Sequence, residues 1–449
     1  MINKTKIICT LGPSSYEEKV LKEMIKSGLN IARFNFSHAD YEKSINVIKI
    51  IRSINQELKN NVACLLDTKG PEIRTHDFNG EVIIEKDSLV RITSKEILGN
   101  KNIFSVNYPY FCEEINVGDV IYVDDGFLSL EVIQKEFNKE LITKAKNTHI
   151  VKSRRGINVP NVNLNMKFIS EKDYKDIVFA VESDYDYIAA SFTRKAQDIL
   201  EIKDILKKYP NNKIKVIAKI ENQSGIDNID EIIKVADGVM VARGDLGIEI
   251  IDTTVPLNQS IIIQKCLIQG KPVIVATQML ESMQKNIKPT KAEISDVFNA
   301  VKEGASATML SGESASGIYP INATQYMNNI NSQSEKILNY DSLSKIYKPK
   351  SLRESFLFNI VQMALKLPIC AIVLYDFDDA YNISKFHPSV IVLSIVSNLK
   401  EARLLSLNFS IIAVLNEQEL NDKIKILRKN NNIKGDFIFV KENQINIVK

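Results

Sequence analysis

Eight short apolar segments recur between residues 6 and 310, at 6–11, 30–36, 63–67, 187–192, 215–220, 238–242, 272–277 and 307–310, and most are followed by a stretch of helical period. This alternation is what βα units produce, because a parallel strand needs a crossover before the next can lie beside it. Helix signals fall where that reading needs them. Ser15 with Glu18 reads as a capping box for a helix that Gly28 closes, and Thr290 with Glu293, ending near Gly304, repeats the arrangement. Eight such units most simply close into a (β/α)8 barrel of the TIM type, with a doubly wound open sheet as the alternative.

One connection breaks the rhythm. About 80 residues separate Arg74 from Gly156, where a βα loop takes about 2–6. The runs at 81–84, 89–93, 120–123 and 128–133 alternate and are punctuated by Gly80, Gly118 and Gly126, which predicts a small inserted β-barrel able to act as a lid at the barrel's rim. Beyond about residue 340 the pattern restarts with a helix at 352–365 and strands at 370–375, 391–395 and 411–414. The expected division is a catalytic barrel (1–74 and 156–340), an inserted β-barrel lid domain (75–155) and a C-terminal α/β domain (341–449).

Composition narrows the functional classes. With 45% hydrophobic and 25% charged residues and a net charge of +3 over 449 residues, the chain has an ordinary globular balance and no basic footprint for nucleic acid or a membrane surface. The longest apolar stretch, 356–375, is interrupted by Lys366 and Pro368, so no membrane helix is expected. Cys9, Cys64, Cys112, Cys266 and Cys370 lie far apart without CxxC pairing and read as buried free thiols of a cytoplasmic protein.

The chemistry lies at the strand ends. Strands of a parallel barrel are buried on both faces, so ionisable groups within them need a reason. In the run from Ile31 to His38 the two-residue period sets Arg33, Asn35 and Ser37 on one face and Phe34 and Phe36 on the other. The third strand runs into Asp67, Thr68 and Arg74, and Lys219 and Glu221 share a face of the fifth. The sixth ends in Arg243-Gly244-Asp245, the seventh in Thr277, and the eighth in Ser311-Gly312-Glu313. Barrel enzymes place their active sites at this C-terminal rim. Two carboxylates, Glu221 and Asp245, suit a hard divalent cation, and Arg33, Arg74 and Lys219 suit a phosphorylated carboxylate. Such a mixture neutralises the equatorial oxygens of a phosphoryl group in transfer. Four histidines without metal-ligand spacing argue against zinc. Arg243 reads as a buried ion-pair partner, and Asn35 and Ser37 could alternatively cap the helix starting near Asp40.

The segments 5–14, 33–38, 66–75, 219–222, 240–247 and 276–283, in this order across the whole barrel, resemble pyruvate kinase. That resemblance implies transfer of the phosphoryl group of phosphoenolpyruvate to ADP, giving pyruvate and ATP as the last step of glycolysis. It gives Lys219 the role of stabilising the transferring group, Glu221 and Asp245 the magnesium or manganese ion, and Arg33 the substrate phosphate. Thr277, with the backbone at Gly244, would meet the substrate carboxylate beside Asp245. Asn35, Phe36, Ser37, His38 and Arg74 would face the nucleotide. Asn35, Ser37, Asp67 and Thr68 match potassium ligands, and Glu72 matches members that need a monovalent cation. Thr277, Ser311 and Glu313 would organise the proton donor. A homotetramer is also implied.

The chain departs from the family in several places. Arg155 stands where a nucleotide-contacting lysine is usual, Ser306 replaces an aspartate and Ser316 a lysine. Acidic side chains from Asp376 to Asp379 and the sequence 441–444 replace phosphate-binding loops, so no activation by fructose 1,6-bisphosphate is expected. A metal-dependent lyase acting on a pyruvate enolate would share Glu221, Asp245 and an arginine but needs neither the lid nor Arg74. A non-catalytic homologue has no use for Lys219, Glu221, Asp245 and Thr277.

Overall fold

The computed structural model describes residues 3–37, 40–137, 139–160, 162, 164–431 and 435–448. Eight parallel strands form a closed barrel: β1 (Lys6–Thr10), β2 (Ile31–Asn35), β3 (Ala63–Asp67), β4 (Tyr187–Ala190), β5 (Lys215–Ile220), β6 (Gly238–Ala242), β7 (Val273–Ala276) and β8 (Ala307–Leu310). Each strand pairs with its sequence neighbours, and β8 pairs back onto β1 with Lys6 opposite Ala307. The open-sheet alternative is therefore excluded.

Strand alternation sorts the side chains into two apolar layers. Ile8, Ile31, Leu65, Ile217 and Met240 fill the interior, while Ile7, Ala32, Cys64, Ile188 and Val216 pack outward under the helices. Leu407, from the C-terminal part of the chain, joins the interior cluster. Tyr187, the first residue of β4, donates to the Leu404 carbonyl at 2.6 Å, and Lys6 donates to the Ile411 carbonyl at 2.6 Å. The barrel's N-terminal end is thus sealed, and its opposite mouth carries the polar groups.

Local signals agree with the sequence reading in part. Thr290 and Glu293 form the expected capping box on the helix Lys291–Glu303, which Gly304 closes at φ +105°. Ser15 does not cap the first helix, Glu18–Lys26, whose N-cap is Glu17 with no side-chain bond. The Ser15 hydroxyl is taken instead by the Gly12 N–H at 3.1 Å, within the turn that precedes the helix. Asp40, neither Asn35 nor Ser37, caps the helix Tyr41–Leu58 by accepting from the Lys43 N–H at 3.0 Å.

The inserted segment builds a seven-stranded sheet that runs from Ile73–Arg74 through Gly156–Asn158 to Ile103–Ser105 at the far edge. A bridge between Thr75 and Val106 brings the two edges together, so the sheet curls around its own apolar cluster of Ile92, Phe104, Ile121 and Leu130. The C-terminal sheet has the order Ile411–Val414, Ile391–Ile395, Ile369–Leu374, Asp436–Lys441, Gln444–Val448. Its last two strands go beyond the sequence expectation, and the turn between them holds Glu442 at φ +53°. Among the described residues no helix is long and apolar enough to cross a membrane.

Candidate active site

Side chains from β1, β2, β3 and β5 meet at the barrel's mouth because the pleat turns alternate residues inward and the parallel register brings the strand ends level. Asn35 lies opposite Asp67 in the β2–β3 pairing, and Asp67 opposite Ala189 of β4. Asp67 is fully buried and holds two cations. Its Oδ2 lies 2.6 Å from Arg33 Nε, and its Oδ1 lies 2.9 Å from Lys219 Nζ. Lys219 Nζ also lies 3.0 Å from Glu221 Oε1. The other Glu221 oxygen accepts the Phe192 N–H at 2.6 Å, which Phe192 presents from a left-handed backbone conformation, φ +55°.

These contacts set the charge states. Burial opposes the Lys219 charge, but Asp67 and then Glu221 overcome it and raise its pKa. Burial likewise opposes the Asp67 charge, and Arg33 and Lys219 outweigh it, so the carboxylate stays ionised. Glu221 is the reverse case. Burial pushes it up to about 7, Lys219 pulls it back, and Asp245 and Asp67 add to the rise. Asp245 is raised by burial too, with Lys219 and a hydrogen bond to Glu221 opposing. Three carboxylates thus face two cations, and the surplus negative charge sits on Glu221 and Asp245.

That surplus fits a divalent cation. Among the described residues no group of three or more His, Cys, Asp or Glu is arranged to hold a metal, so Glu221 and Asp245 would leave the other positions of a magnesium-like ion to water and substrate oxygens, as that ion prefers.

Around this centre, Asp245 lies in the helix Arg243–Glu249, where the Gly244 N–H donates to Thr277 Oγ1 at 2.8 Å. Thr277 and Gln278 both have positive φ, +66° and +53°, which lifts this corner toward the mouth. Arg243 forms an ion pair with Asp296 at 2.7 Å and binds the Thr277 carbonyl at 2.7 Å, so it braces the corner from beneath. Glu313 is fully buried, and its oxygens accept the Leu280 N–H at 3.0 Å and the Ser311 N–H at 2.8 Å. It is tied to backbone and does not open toward a ligand. The Ser311 hydroxyl is buried with no hydrogen-bond partner.

Other expected residues behave less simply. The Phe36 ring is buried under the helices against Phe179 at 5.6 Å, because the pleat that turns Asn35 inward turns Phe36 outward, so its ring cannot meet a nucleotide. Its carbonyl already accepts from Lys172 at 2.7 Å. Asn35 Oδ1 accepts the Ser37 N–H at 3.1 Å, and Thr68 Oγ1 donates to the Ala189 carbonyl at 3.3 Å. His38 lies outside the described residues. Arg74 pairs with Glu72 at 2.6 Å, and Arg155 lies 3.5 Å from Asp124. A cleft of about 290 Å3, lined by Glu72, Asp125, Gly156, Phe192, Asn222 and Asp245, separates the inserted sheet from the barrel's mouth.

Sequence reasoning missed three groups. Thr10 Oγ1 accepts from Arg33 Nη1 at 2.7 Å, and Ser191 Oγ accepts from Lys219 Nζ at 2.7 Å. Both sit where β1 ends or β4 has just ended, so the rule that found Lys219 could have found them. Asp125, at the tip of a hairpin in the inserted sheet, reads in sequence only as turn punctuation beside Gly126.

A family model described as "Pyruvate kinase, barrel domain" matches residues 2–324. A pyruvate kinase of Bacillus licheniformis is 44% identical over 420 residues, covering 92% of this chain and 72% of that protein. One from Clostridium perfringens is 43% identical over 421 residues, covering 92% of this chain and 89% of the relative. The crystal structure of a pyruvate kinase from Cryptosporidium parvum superposes with a TM-score of 0.92 at 32% identity, covering all of this chain and 96% of the other. Agreement of this extent, in sequence along nine tenths of the chain and in fold along all of it, makes the chain a member of the pyruvate kinase family.

Proposed function

We propose that this chain transfers the phosphoryl group of phosphoenolpyruvate to ADP at the mouth formed by β2, β3 and β5, giving pyruvate and ATP. The observation that carries this reading is a buried ammonium, Lys219, held 2.9 Å from Asp67 and 3.0 Å from Glu221, beside the Arg33 guanidinium on the same Asp67. A phosphoryl group in flight needs positioned positive charge and little covalent help. Arg33 binds the substrate phosphate, and Lys219 stays with the group as it moves to the terminal phosphate of ADP. Glu221 and Asp245 would hold a magnesium or manganese ion, which would supply charge neutralisation during the transfer. Thr277 Oγ1 and the Gly244 N–H, already paired at 2.8 Å, open to receive the substrate carboxylate.

Departure of the phosphoryl group leaves an enolate that must take a proton at carbon. Thr277 and Ser311 carry the hydroxyls of this region. Glu313 acts at one remove, by fixing the backbone of Ser311 and Leu280 on either side of it. Asn35, Ser37, Asp67 and Thr68 offer oxygens for potassium, and Arg74 and Arg155 bring positive charge from the inserted sheet toward the nucleotide. That sheet, divided from the barrel at about residues 75–155, serves as a lid over the cleft. The enzyme works in the cytoplasm as a homotetramer.

The test is a coupled assay for pyruvate release from phosphoenolpyruvate and ADP, with and without potassium, on the purified chain and its Lys219→Met variant. The unsubstituted chain forms pyruvate, and loss of one preorganised charge lowers kcat on the order of 10²–10³-fold. A chain that forms no pyruvate, or a Lys219→Met variant that works at full rate, would sink the reading.

A further inference from the structure

Lys219 Nζ has three N–H bonds and three partners, Asp67 at 2.9 Å, Ser191 Oγ at 2.7 Å and Glu221 at 3.0 Å. No donor is left over for a phosphoryl oxygen. Of the three partners, Glu221 is the one that carries the surplus negative charge suited to a divalent metal. The other two are fixed. Asp67 is bound to Arg33, and Ser191, 2% exposed, is anchored from below, its Oγ lying 2.7 Å from the Thr68 carbonyl and 2.9 Å from Asp67 Oδ1. Its single proton goes to one of those oxygens, which leaves its lone pairs to the ammonium. The loop above is packed hard onto this residue, since a Cβ at Gly70 would fall 2.8 Å from the Ser191 carbonyl oxygen.

We infer that Ser191 is a positioning residue for phosphoryl transfer: with Asp67 it holds two N–H bonds of Lys219, so that the third, released when Glu221 turns to the metal, is aimed at the transferring group. The neighbouring residue contributes to the same end. Phe192 pins the second oxygen of Glu221 through its N–H at 2.6 Å, so the corner after β4 orients both members of the Lys219–Glu221 pair. An ammonium with only Asp67 to hold it could swing about its terminal torsion, and misplacement of a charged group by a fraction of an ångström is costly in rate.

The inference rests on the transfer role given to Lys219, and the experiment separates the two. Ser191→Ala, Lys219→Met and the double variant are compared for kcat, for KM of phosphoenolpyruvate and for thermal melting. Ser191→Ala melts somewhat lower, because buried hydrogen bonds to Lys219 and the Thr68 carbonyl are lost, but stays folded at the assay temperature and keeps its KM, while kcat falls about tenfold or more. In the Lys219→Met background the same change has no further effect, because the group it positions is gone. Should the alanine variant fail to fold, Ser191→Cys, which keeps the volume but is a poor acceptor, is read in its place. An unchanged kcat in Ser191→Ala beside an inactive Lys219→Met overturns the positioning role alone, as do losses that multiply in the double variant. A fully active Lys219→Met overturns the transfer role and this inference together.

Discussion

Lys219 Nζ and Glu221 Oε1 lie 3.0 Å apart at the barrel's mouth, and the ammonium does not neutralise the acids around it. Burial, aided by Asp245 and Asp67 and opposed by Lys219, leaves the Glu221 pKa at about 7. A proton would therefore compete near neutrality with a divalent cation held by this carboxylate.

This competition has a defined sign. Without metal the folded state binds the Glu221 proton more tightly than the unfolded state, whose carboxyl titrates near the model value of 4.5. The stability this gives is fully present below about 4.5 and is lost as pH rises to about 7. Magnesium restores stability at the upper end, where the carboxylate is free to bind it. The magnesium concentration giving half-maximal activity accordingly rises as pH drops below 7, and melting curves at pH 8 shift upward with magnesium more than those at pH 5.5. A magnesium requirement that stays flat from pH 5.5 to 8 would contradict this account.

Potassium dependence is expected from the oxygens grouped near a second acid, Glu72. Asn35 and Asp67 face each other across β2 and β3, and Glu72 closes the same loop by pairing with Arg74 at 2.6 Å. A lysine at position 72 would bring a fixed ammonium into the same loop, a charge able to stand in for a monovalent cation. Activity in buffer free of potassium and sodium is therefore low, and Glu72→Lys raises it toward the potassium-supported rate. The lost pair with Arg74 is partly exposed and costs about 1 kcal/mol or less, so the variant folds. Equal rates with and without potassium in the unsubstituted chain would remove the basis of this prediction.

How much of this was readable beforehand depends on the kind of signal. Arg33, Lys219 and Glu221 stand out because charge inside a buried strand is rare, so a sequence reader is forced to explain it. Ser191 and Thr10 do not, because a hydroxyl costs little to bury and its value here comes from a cross-strand contact that only the closed barrel creates. Ser15 misled because a capping box is a spacing rule, and the turn at Gly12 claimed its hydroxyl first. The two-residue period already sets Phe36 on the face away from Asn35, where its ring is buried; only the family resemblance sets it beside the nucleotide. The strands Asp436–Lys441 and Gln444–Val448 pass unnoticed because short apolar runs are ambiguous by period, and their pairing is visible only in the sheet.

Sugar bisphosphates should leave the kinetics unchanged. The chain order reverses between the strands Ile369–Leu374 and Asp436–Lys441, and α/β sheets bind ligands at the carboxyl ends beside such a reversal. Here Arg353 occupies that position, donating through Nε to Asp379 at 2.8 Å and through Nη1 to the Glu442 carbonyl and to Asn443. Its charge is spent on Asp379, with Asp376 and Asp378 alongside, so this arginine is not offered to a phosphate. Phosphoenolpyruvate saturation curves with and without millimolar fructose 1,6-bisphosphate superpose; a leftward shift would refute the argument.

Acid sensitivity arises far from the mouth, where His387 joins the barrel to the C-terminal sheet. The ring is 4% exposed, stacks on Phe409 at 4.5 Å and has Nε2 3.2 Å from the Gly304 carbonyl. Burial pushes its pKa down to about 4, and the backbone of Gly304 and Lys385 recovers only part of the loss. The unfolded chain, titrating near 6.5, binds the proton more tightly, so stability is complete above about 6.5 and is lost as pH falls toward 4. At roughly 1.4 kcal/mol per pKa unit, the full loss is on the order of 3 kcal/mol. His387 has φ +44°, a conformation asparagine adopts more readily than most residues, so His387→Asn keeps the backbone while removing the titrating ring. The drop in melting temperature between pH 7 and pH 5 shrinks in this variant, even though lost packing on Phe409 lowers its melting temperature at pH 7. If both proteins lose the same number of degrees over that interval, the acid response belongs to another group.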